Sequence, residues 1–170
     1  MKVTRDNFIK EYNKSGLPLM ILVDDKNKTS PKYPFATYNF ISVGDSPSGS
    51  AVYSRKAIDS INPLFKDDIE ETRQLQHTVR LSINTYSKDK LEAQETAINI
   101  KDWLTHIGYR DLSYLGIVVV DALDITDRTI DLVGDREYRY GFDVRLRVTR
   151  ETFKRIETIE EYSIKQEVTQ

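Results

Sequence analysis

A chain of 170 residues with no cysteine, 25 basic and 27 acidic side chains and a net charge of -2 is bounded before any pattern is read. It is long enough for one domain with a real core. The missing cysteines exclude a disulfide framework and a thiolate metal site, and the near-balanced charge gives no overall pull toward nucleic acid or an anionic membrane. Ten Tyr and six Phe argue against disorder, although 31% of the residues are charged. The longest apolar runs, Leu17 to Val23 and Leu115 to Val120, fall far short of the roughly 20 residues of a membrane helix. The opening MKVTRDNFIKEY has no apolar signal-peptide core. These features predict a soluble, cytosolic protein that does not engage a membrane.

In chain order, Val3 before a capping Thr4, followed by Phe8, predicts a short helix entered through a hydrophobic staple. Phe8, Ile9 and Tyr12 are its buried stripe, and Gly16 with Pro18 ends it. Leu19 to Val23 is an apolar run of strand length, followed by the polar loop Asp24 to Lys32. The aromatic and β-branched segment Phe35 to Val43, FATYNFISV, predicts a second strand with Ala36, Tyr38 and Phe40 on one side. From Gly44 to Asp68 no period is sustained, and GDSPSGS is loop chemistry throughout. A connection of that length tends to be functional, so an excursion at about 44–68 is expected, a protruding hairpin carrying Ala51, Val52 and Tyr53 toward a partner.

The clearest change of period lies between Gln74 and Gly108. Leu75, His77, Val79, Leu81, Ile83 and Thr85 alternate with polar residues, the pattern of a strand with one buried face. Ser87 is the expected cap of a following helix. Its apolar stripe is Ala93, Ala97, Ile100, Leu104 and Ile107, widened by Leu91 and Ile98, and Gly108 is placed to end it in the left-handed conformation. Leu115 to Leu123 reads as a strand buried on both faces. Asp124 to Gly134 is turn-rich. Glu137 to Val148 alternates cleanly, with Tyr138, Tyr140, Phe142, Val144, Leu146 and Val148 on one face and a wet face opposite. Ile156, Ile159, Tyr162 and Ile164 are read as a last strand before a frayed tail. Together these elements predict an α+β fold. It is a single domain over 1–170 with a mixed, mainly antiparallel sheet, an amphipathic helix over about 88–107, and a short N-terminal helix packed on it.

No residue set carries catalysis. Gly44-Asp45-Ser46 matches the nucleophile tripeptide of one esterase family, but the two histidines, His77 in a strand and His106 in the last turn of a helix, offer it no base. A plain turn accounts for the tripeptide, and a cation near the negative end of a helix accounts for His106. Asp24-Asp25 and the group Asp67, Asp68, Glu70 and Glu71 are adjacent carboxylates of the kind usually just solvated, rather than the convergent set that holds magnesium. No phosphate-cradling glycine motif occurs. No enzyme, cofactor or metal is therefore expected. Arg136, Arg139, Arg145, Arg147 and Arg150 could form a basic stripe for a phosphate backbone, yet Glu137, Asp143 and Glu151 interleave with them, which suits a solvated surface or a polar subunit interface better.

The order of features resembles the phage neck or tail terminator proteins. The resemblance is carried by Pro34-Phe35-Ala36-Thr37-Tyr38 with Phe40 to Ser42, and by VRLSINTY from Val79 to Tyr86 running into a helix. It continues through Trp103-Leu104 before Gly108, the GIVVV strand, Asp127-Arg128-Thr129 and YRYGFDVRLRV from Tyr138 to Val148. It covers about Phe8 to Ile164 and matches nothing in 44–68. The resemblance implies a structural virion protein of a tailed bacteriophage, located at the neck and assembled in the host cytoplasm. Such a subunit forms a homo-hexameric ring that caps the tail tube, stops its polymerisation and joins it to head-completion or connector proteins. DNA passes through the lumen without sequence-specific binding. Arg139, Arg145, Arg147 and Tyr53 are the expected subunit-interface or lumen residues. Another neck, connector or tube subunit, or a nucleic-acid-binding module using the arginine-rich strand, is the alternative.

Overall fold

A computed structural model describes residues 2–23, 31–45, 50–130 and 137–157. The fold is α+β, with seven mostly antiparallel strands, β1 (Met20–Leu22), β2 (Phe35–Asp45), β3 (Val52–Asp59), β4 (Asp67–Ser87), β5 (Ile117–Ala122), β6 (Thr126–Asp127) and β7 (Tyr138–Glu157), in the order β1-β2-β4-β7-β5, β3 added on β4 and β6 on β7. Two compact units are distinct: Met1–Ser48 with Gln76–Thr149, and Gly49–Leu75 with Arg150–Gln170. The strands β4 (Asp67–Ser87) and β7 (Tyr138–Glu157) contribute residues to both.

In the first unit, α1 (Lys2–Tyr12) begins before Thr4, which is therefore an interior helical residue and not the cap. Its buried residues are Phe8 and Tyr12. Both rings meet Trp103 edge-on, with centroids 6.2 and 5.3 Å away. The Tyr12 hydroxyl donates to the Pro18 carbonyl at 2.8 Å, so this deeply placed phenol keeps a partner. Gly16 then takes the left-handed conformation, φ +73°. The short β1 (Met20–Leu22) pairs in parallel with β2 (Phe35–Asp45), Met20 opposite Ala36. β2 pairs antiparallel with β4, and two register shifts beyond Phe40 disturb its alternation. Ala36 and Tyr38 join Val79, Leu81, Ile83, Phe142, Val144, Leu146 and Val148 in one core with the helices.

The segment after β4 departs from expectation in three places. Ser87 is the buried last residue of β4, and the cap of α2 (Lys90–Asp102) is Asp89, whose carboxylate accepts from the Glu92 N–H at 2.9 Å. Ser87 supports that cap, accepting from the Asp89 N–H at 3.1 Å and donating to the Glu92 carboxylate. The helix then widens into a π-helical segment, Trp103–Ile107. The extra residue in that turn rotates the residues beyond it off the stripe. Ala93, Ala97, Ile100, Trp103 and Leu104 are buried, whereas Ile107, Leu91 and Ile98 stand exposed, outside the stripe assigned to them. Gly108 is not left-handed, with φ -86°. Glycine is required there because an added Cβ would lie 2.4 to 2.8 Å from the Trp103 ring. A short α3 (Tyr109–Tyr114) leads into β5 (Ile117–Ala122).

β5 buries one face rather than two. Ile117 and Val119 are inside, but Val120 is 47% exposed, because this end strand carries a layer only on its core side. β6 (Thr126–Asp127) lies on β7 opposite Gly141 and Tyr140. The alternation predicted for β7 holds through Val148, and the strand then runs on without a break to Glu157, so Ile156 belongs to it and not to a separate last strand. Ile159, Tyr162 and Ile164 lie outside the described residues, as do Asp24, Asp25, Ser46 and Arg136.

The second unit is an arm of paired strands. β3 (Val52–Asp59) faces β4 in eight consecutive antiparallel pairs, from Val52 opposite Gln74 to Asp59 opposite Asp67, with no shift. Val52–Asp59 and Asp67–Gln74 thus form one antiparallel pair. Among the described residues of this unit only Asp68 is buried, while Ile58, Phe65, Ile69, Leu75 and Ile156 are half-buried. That explains the missing period, since a strand exposed along most of both faces has no reason to alternate.

Candidate assembly surface

The polar chemistry of the first unit lies on the strand positions that alternate with the core. Phe35 stacks on its cross-strand partner Tyr86, centroids 4.8 Å apart and planes 9° from parallel, and Tyr33 leans on Phe35 at 5.4 Å. The Arg139 guanidinium sits 5.5 Å over the Tyr86 ring and the Lys88 ammonium 5.3 Å over Tyr33. The Tyr33 hydroxyl is hydrogen-bonded to the Glu137 carboxylate. Aromatic faces bracketed by cations form a continuous ladder across β2, β4 and β7.

Beside it stands a node that residue order alone does not reveal. Arg128 donates to Ser82 Oγ, Asn84 Oδ1 and Asp143 Oδ1, each at 3.0 Å, and Ser82 donates to the same Asp143 oxygen at 2.7 Å. One planar, always-charged fork thereby ties β4 to β7. The turn that aims it is held by Asp127, which accepts from the Thr129 N–H at 2.9 Å and the Tyr140 hydroxyl at 3.2 Å. Hydrogen bonding from Thr129, its side chain above all, keeps the Asp127 carboxyl below the usual carboxylate range. Gly141 makes room for the node: a Cβ there would stand 2.4 Å from Asn84 Oδ1 and 2.7 Å from the Ile83 carbonyl. The available signal is the Asp127-Arg128-Thr129 tripeptide, legible as part of the family resemblance but not as a charge centre.

The arginines singled out from the sequence have different surroundings. Arg145 pairs with Asp121 at 2.7 Å, with both side chains nearly half exposed. Arg139 is half-buried against Tyr86, and its Nε, like that of half-buried Arg147, is a buried atom without a hydrogen-bond partner. Arg150 is exposed at the start of the arm segment of β7. With Asp121 and Asp143 each engaged by an arginine, this face is not the uniform basic stripe that a phosphate backbone would favour.

Tyr53 lies on the arm, in β3, 57% exposed. The acidic residues Asp67 to Glu71 are strand residues here rather than solvated loop. Arg155 donates to buried Asp68 at 2.5 Å and also to the Asp59 carbonyl, and Arg55 pairs with Glu71 at 2.8 Å. Among the described residues no three His, Asp or Glu side chains converge as a metal site, and no helix is long and apolar enough to cross a membrane. His77 is half-buried on β4 and His106 is exposed in the π-helical segment.

A small α+β subunit whose polar groups are spread along strand surfaces and an exposed arm has the make-up of an assembly component, whose work is done by surfaces. The family model for phage neck terminator proteins matches residues 6–170, and the chain belongs to that family. It is accordingly a structural protein of the bacteriophage neck, a component of the virion that contacts other tail or head proteins. No curated protein matches the chain.

Proposed function

We propose that this subunit forms a closed ring of its own copies on the end of a tail tube, ends tube growth, and offers its other face to a head-completion or connector protein. The hexamer is the expected stoichiometry, and DNA passes through the lumen without sequence-specific contact. The observation that carries this reading is the family match over residues 6–170. The ladder face supports it, since stacked aromatic rings beside mixed charges suit a contact between subunits. Arg139, Arg145 and Arg147 are the residues expected at the contact between subunits or at the lumen. Tyr53, exposed on β3, is a further candidate for contact with a partner. Heterologous contacts of this kind close into rings when the rotation allows.

The test is native mass across a concentration series, with electron micrographs of whatever forms and of purified tube ends mixed with the protein. The wild-type chain is expected to give closed rings and capped tubes, and the triple variant Arg139→Glu, Arg145→Glu, Arg147→Glu to give neither. Rings and capped ends unchanged in the triple variant would overturn the residue assignment. Absence of both in the wild type would overturn the function.

A further inference from the structure

Within the arm, β4 is the middle strand, with β3 on one side and residues 150–157 of β7 on the other. Among the described residues no strand lies beyond either of these two. In an antiparallel pair successive residues turn their N–H and C=O groups alternately toward the partner and away from it. The Ser60 N–H donates to the Lys66 carbonyl at 3.1 Å, and the register of β3 on β4 has no shift, so the even-numbered residues of β3 bond β4. Tyr53, Arg55 and Ala57 therefore turn their backbone groups outward. On β7 the odd-numbered residues face away from β4: the Arg139 and Asp143 carbonyls accept from Arg128 and Leu123, and the Thr149 N–H donates to the Gly116 carbonyl. The pairing of β5 ends with Ile117 opposite Val148, and beyond it the same alternation turns Glu151, Phe153 and Arg155 outward.

Sheets usually blunt such edges with a very short strand, a bulge or a proline. The other end strands here do so, β1 being three residues long and β5 pairing with a register shift between Val119 and Asp121. The arm edges lack these devices. No proline occurs in 52–59 or 150–157, β3 is regular over eight residues, and Arg55 is drawn back over its own sheet by Glu71 of β4. The two edges also match in direction. β3 runs antiparallel to β4, and so does β7, whose Glu151, Asp143 and Arg139 meet Gln74, Ser82 and Tyr86. β3 and β7 thus point the same way, and rotation about a ring axis brings the β7 edge of one copy beside the β3 edge of the next. Pairing β3 with β3 would need a two-fold axis and would stop at two copies.

We infer that the open β3 edge of one copy takes residues 150–157 of the next copy as a parallel strand, so that the arm sheet continues from subunit to subunit. The bonding groups are the outward N–H and C=O of Tyr53, Arg55 and Ala57 on one side and of Glu151, Phe153 and Arg155 on the other. This inference rests on the ring reading and names one contact within it.

Proline is admitted at an edge residue whose N–H faces outward, and it removes that donor. Ala57→Pro and Phe153→Pro therefore keep the pairing with β4 and close one edge each. Each variant alone is expected to lose ring formation. An equal mixture is expected to give a dimer of one copy of each kind and nothing larger, because the intact β3 edge of the Phe153→Pro copy joins the intact β7 edge of the Ala57→Pro copy. In the unaltered chain, residue-resolved amide exchange is expected to show the Tyr53, Arg55 and Ala57 N–H groups exchanging freely when dilute and losing that exchange on assembly. Assembled wild type in which these three amides still exchange freely would overturn the strand pairing and leave the ring reading standing, as would variants that each form rings like wild type. Loss of assembly in Ala57→Pro with full assembly in Phe153→Pro would overturn the assignment of β7 as the added strand. A wild type that stays monomeric and caps no tube would overturn both readings.

Discussion

Gly141 is where packing and assembly face meet, and Gly141→Ala separates two opposed effects. Gly141 does not have positive φ, so alanine fits the backbone. On conformational grounds alone the substitution would stabilise, by about 0.4–1 kcal/mol, through loss of freedom in the unfolded chain. Against this, the new Cβ falls 2.7 Å from the Ile83 carbonyl, a backbone atom of the neighbouring strand, and 2.4 Å from Asn84 Oδ1. Neither can retreat cheaply. Moving the carbonyl parts β4 from β7, an overpacking penalty of about 1–3 kcal/mol. Moving Asn84 breaks its bond from the Arg128 guanidinium, a charged donor whose hydrogen bonds are worth about 1.5–3 kcal/mol. The clash therefore dominates, with a net loss of about 2–4 kcal/mol. For a chain of this size each kcal/mol lowers the melting temperature by about 2–4 °C. Urea unfolding tracked by fluorescence of Trp103, the single tryptophan, reads the change without a label. An alanine variant as stable as the wild type, or more so, would falsify the argument that the Arg128 node depends on a missing side chain.

Close contacts elsewhere make two further predictions. Gly108→Ala drives a Cβ to 2.4–2.8 Å from the Trp103 ring, which Tyr12 and Phe8 hold edge-on from other sides, so a loss of about 1–3 kcal/mol is expected, together with a shifted Trp103 emission that Gly141→Ala does not produce. In the arm, the Arg155 hydrogen bond chiefly, against the opposing effect of burial, holds the Asp68 carboxyl below its ordinary value of 3.8, with Ser60 and the Ile61 backbone assisting; a depressed carboxyl contributes stability above its unfolded pKa and loses it as pH falls through the folded one. Amide exchange in β3 and residues 60–68 is therefore expected to lose protection below about pH 4, sooner than in β2, and Asp68→Asn is expected to abolish that difference.

Strands that bury one face were readable from residue order because burial imposes alternation. Val79, Leu81 and Ile83, and Phe142, Val144 and Leu146, are each inside the core their spacing predicted. β3 left no such trace, since nearly all of its side chains are exposed and Val52 to Asp59 are held chiefly by strand pairing. Ala93, Ala97, Ile100 and Leu104 of the helix stripe are buried as their spacing predicts, but Leu91 and Ile98 do not widen it, and it fails at Ile107, where the π turn adds a residue that no 3.6-residue pattern anticipates. Gly108 and Gly141 were visible as glycines, yet the reason for each is a neighbour distant in sequence or lying one turn back, which residue order does not display. The Arg128 node was hidden for the same cause: its acceptors sit at positions 82, 84 and 143, brought together only by strand pairing.

The two units are stabilised by different physics. The first has a packed core in which Phe8, Tyr12, Trp103 and the strand side chains exclude water, so opening it exposes apolar surface and is strongly opposed. The arm has backbone pairing, the Arg155–Asp68 pair and exposed ion pairs such as Arg55–Glu71, the last worth only about 0–1 kcal/mol. Sheets of this kind, without an apolar face to bury, are marginal by themselves, and local opening there costs far less than global unfolding.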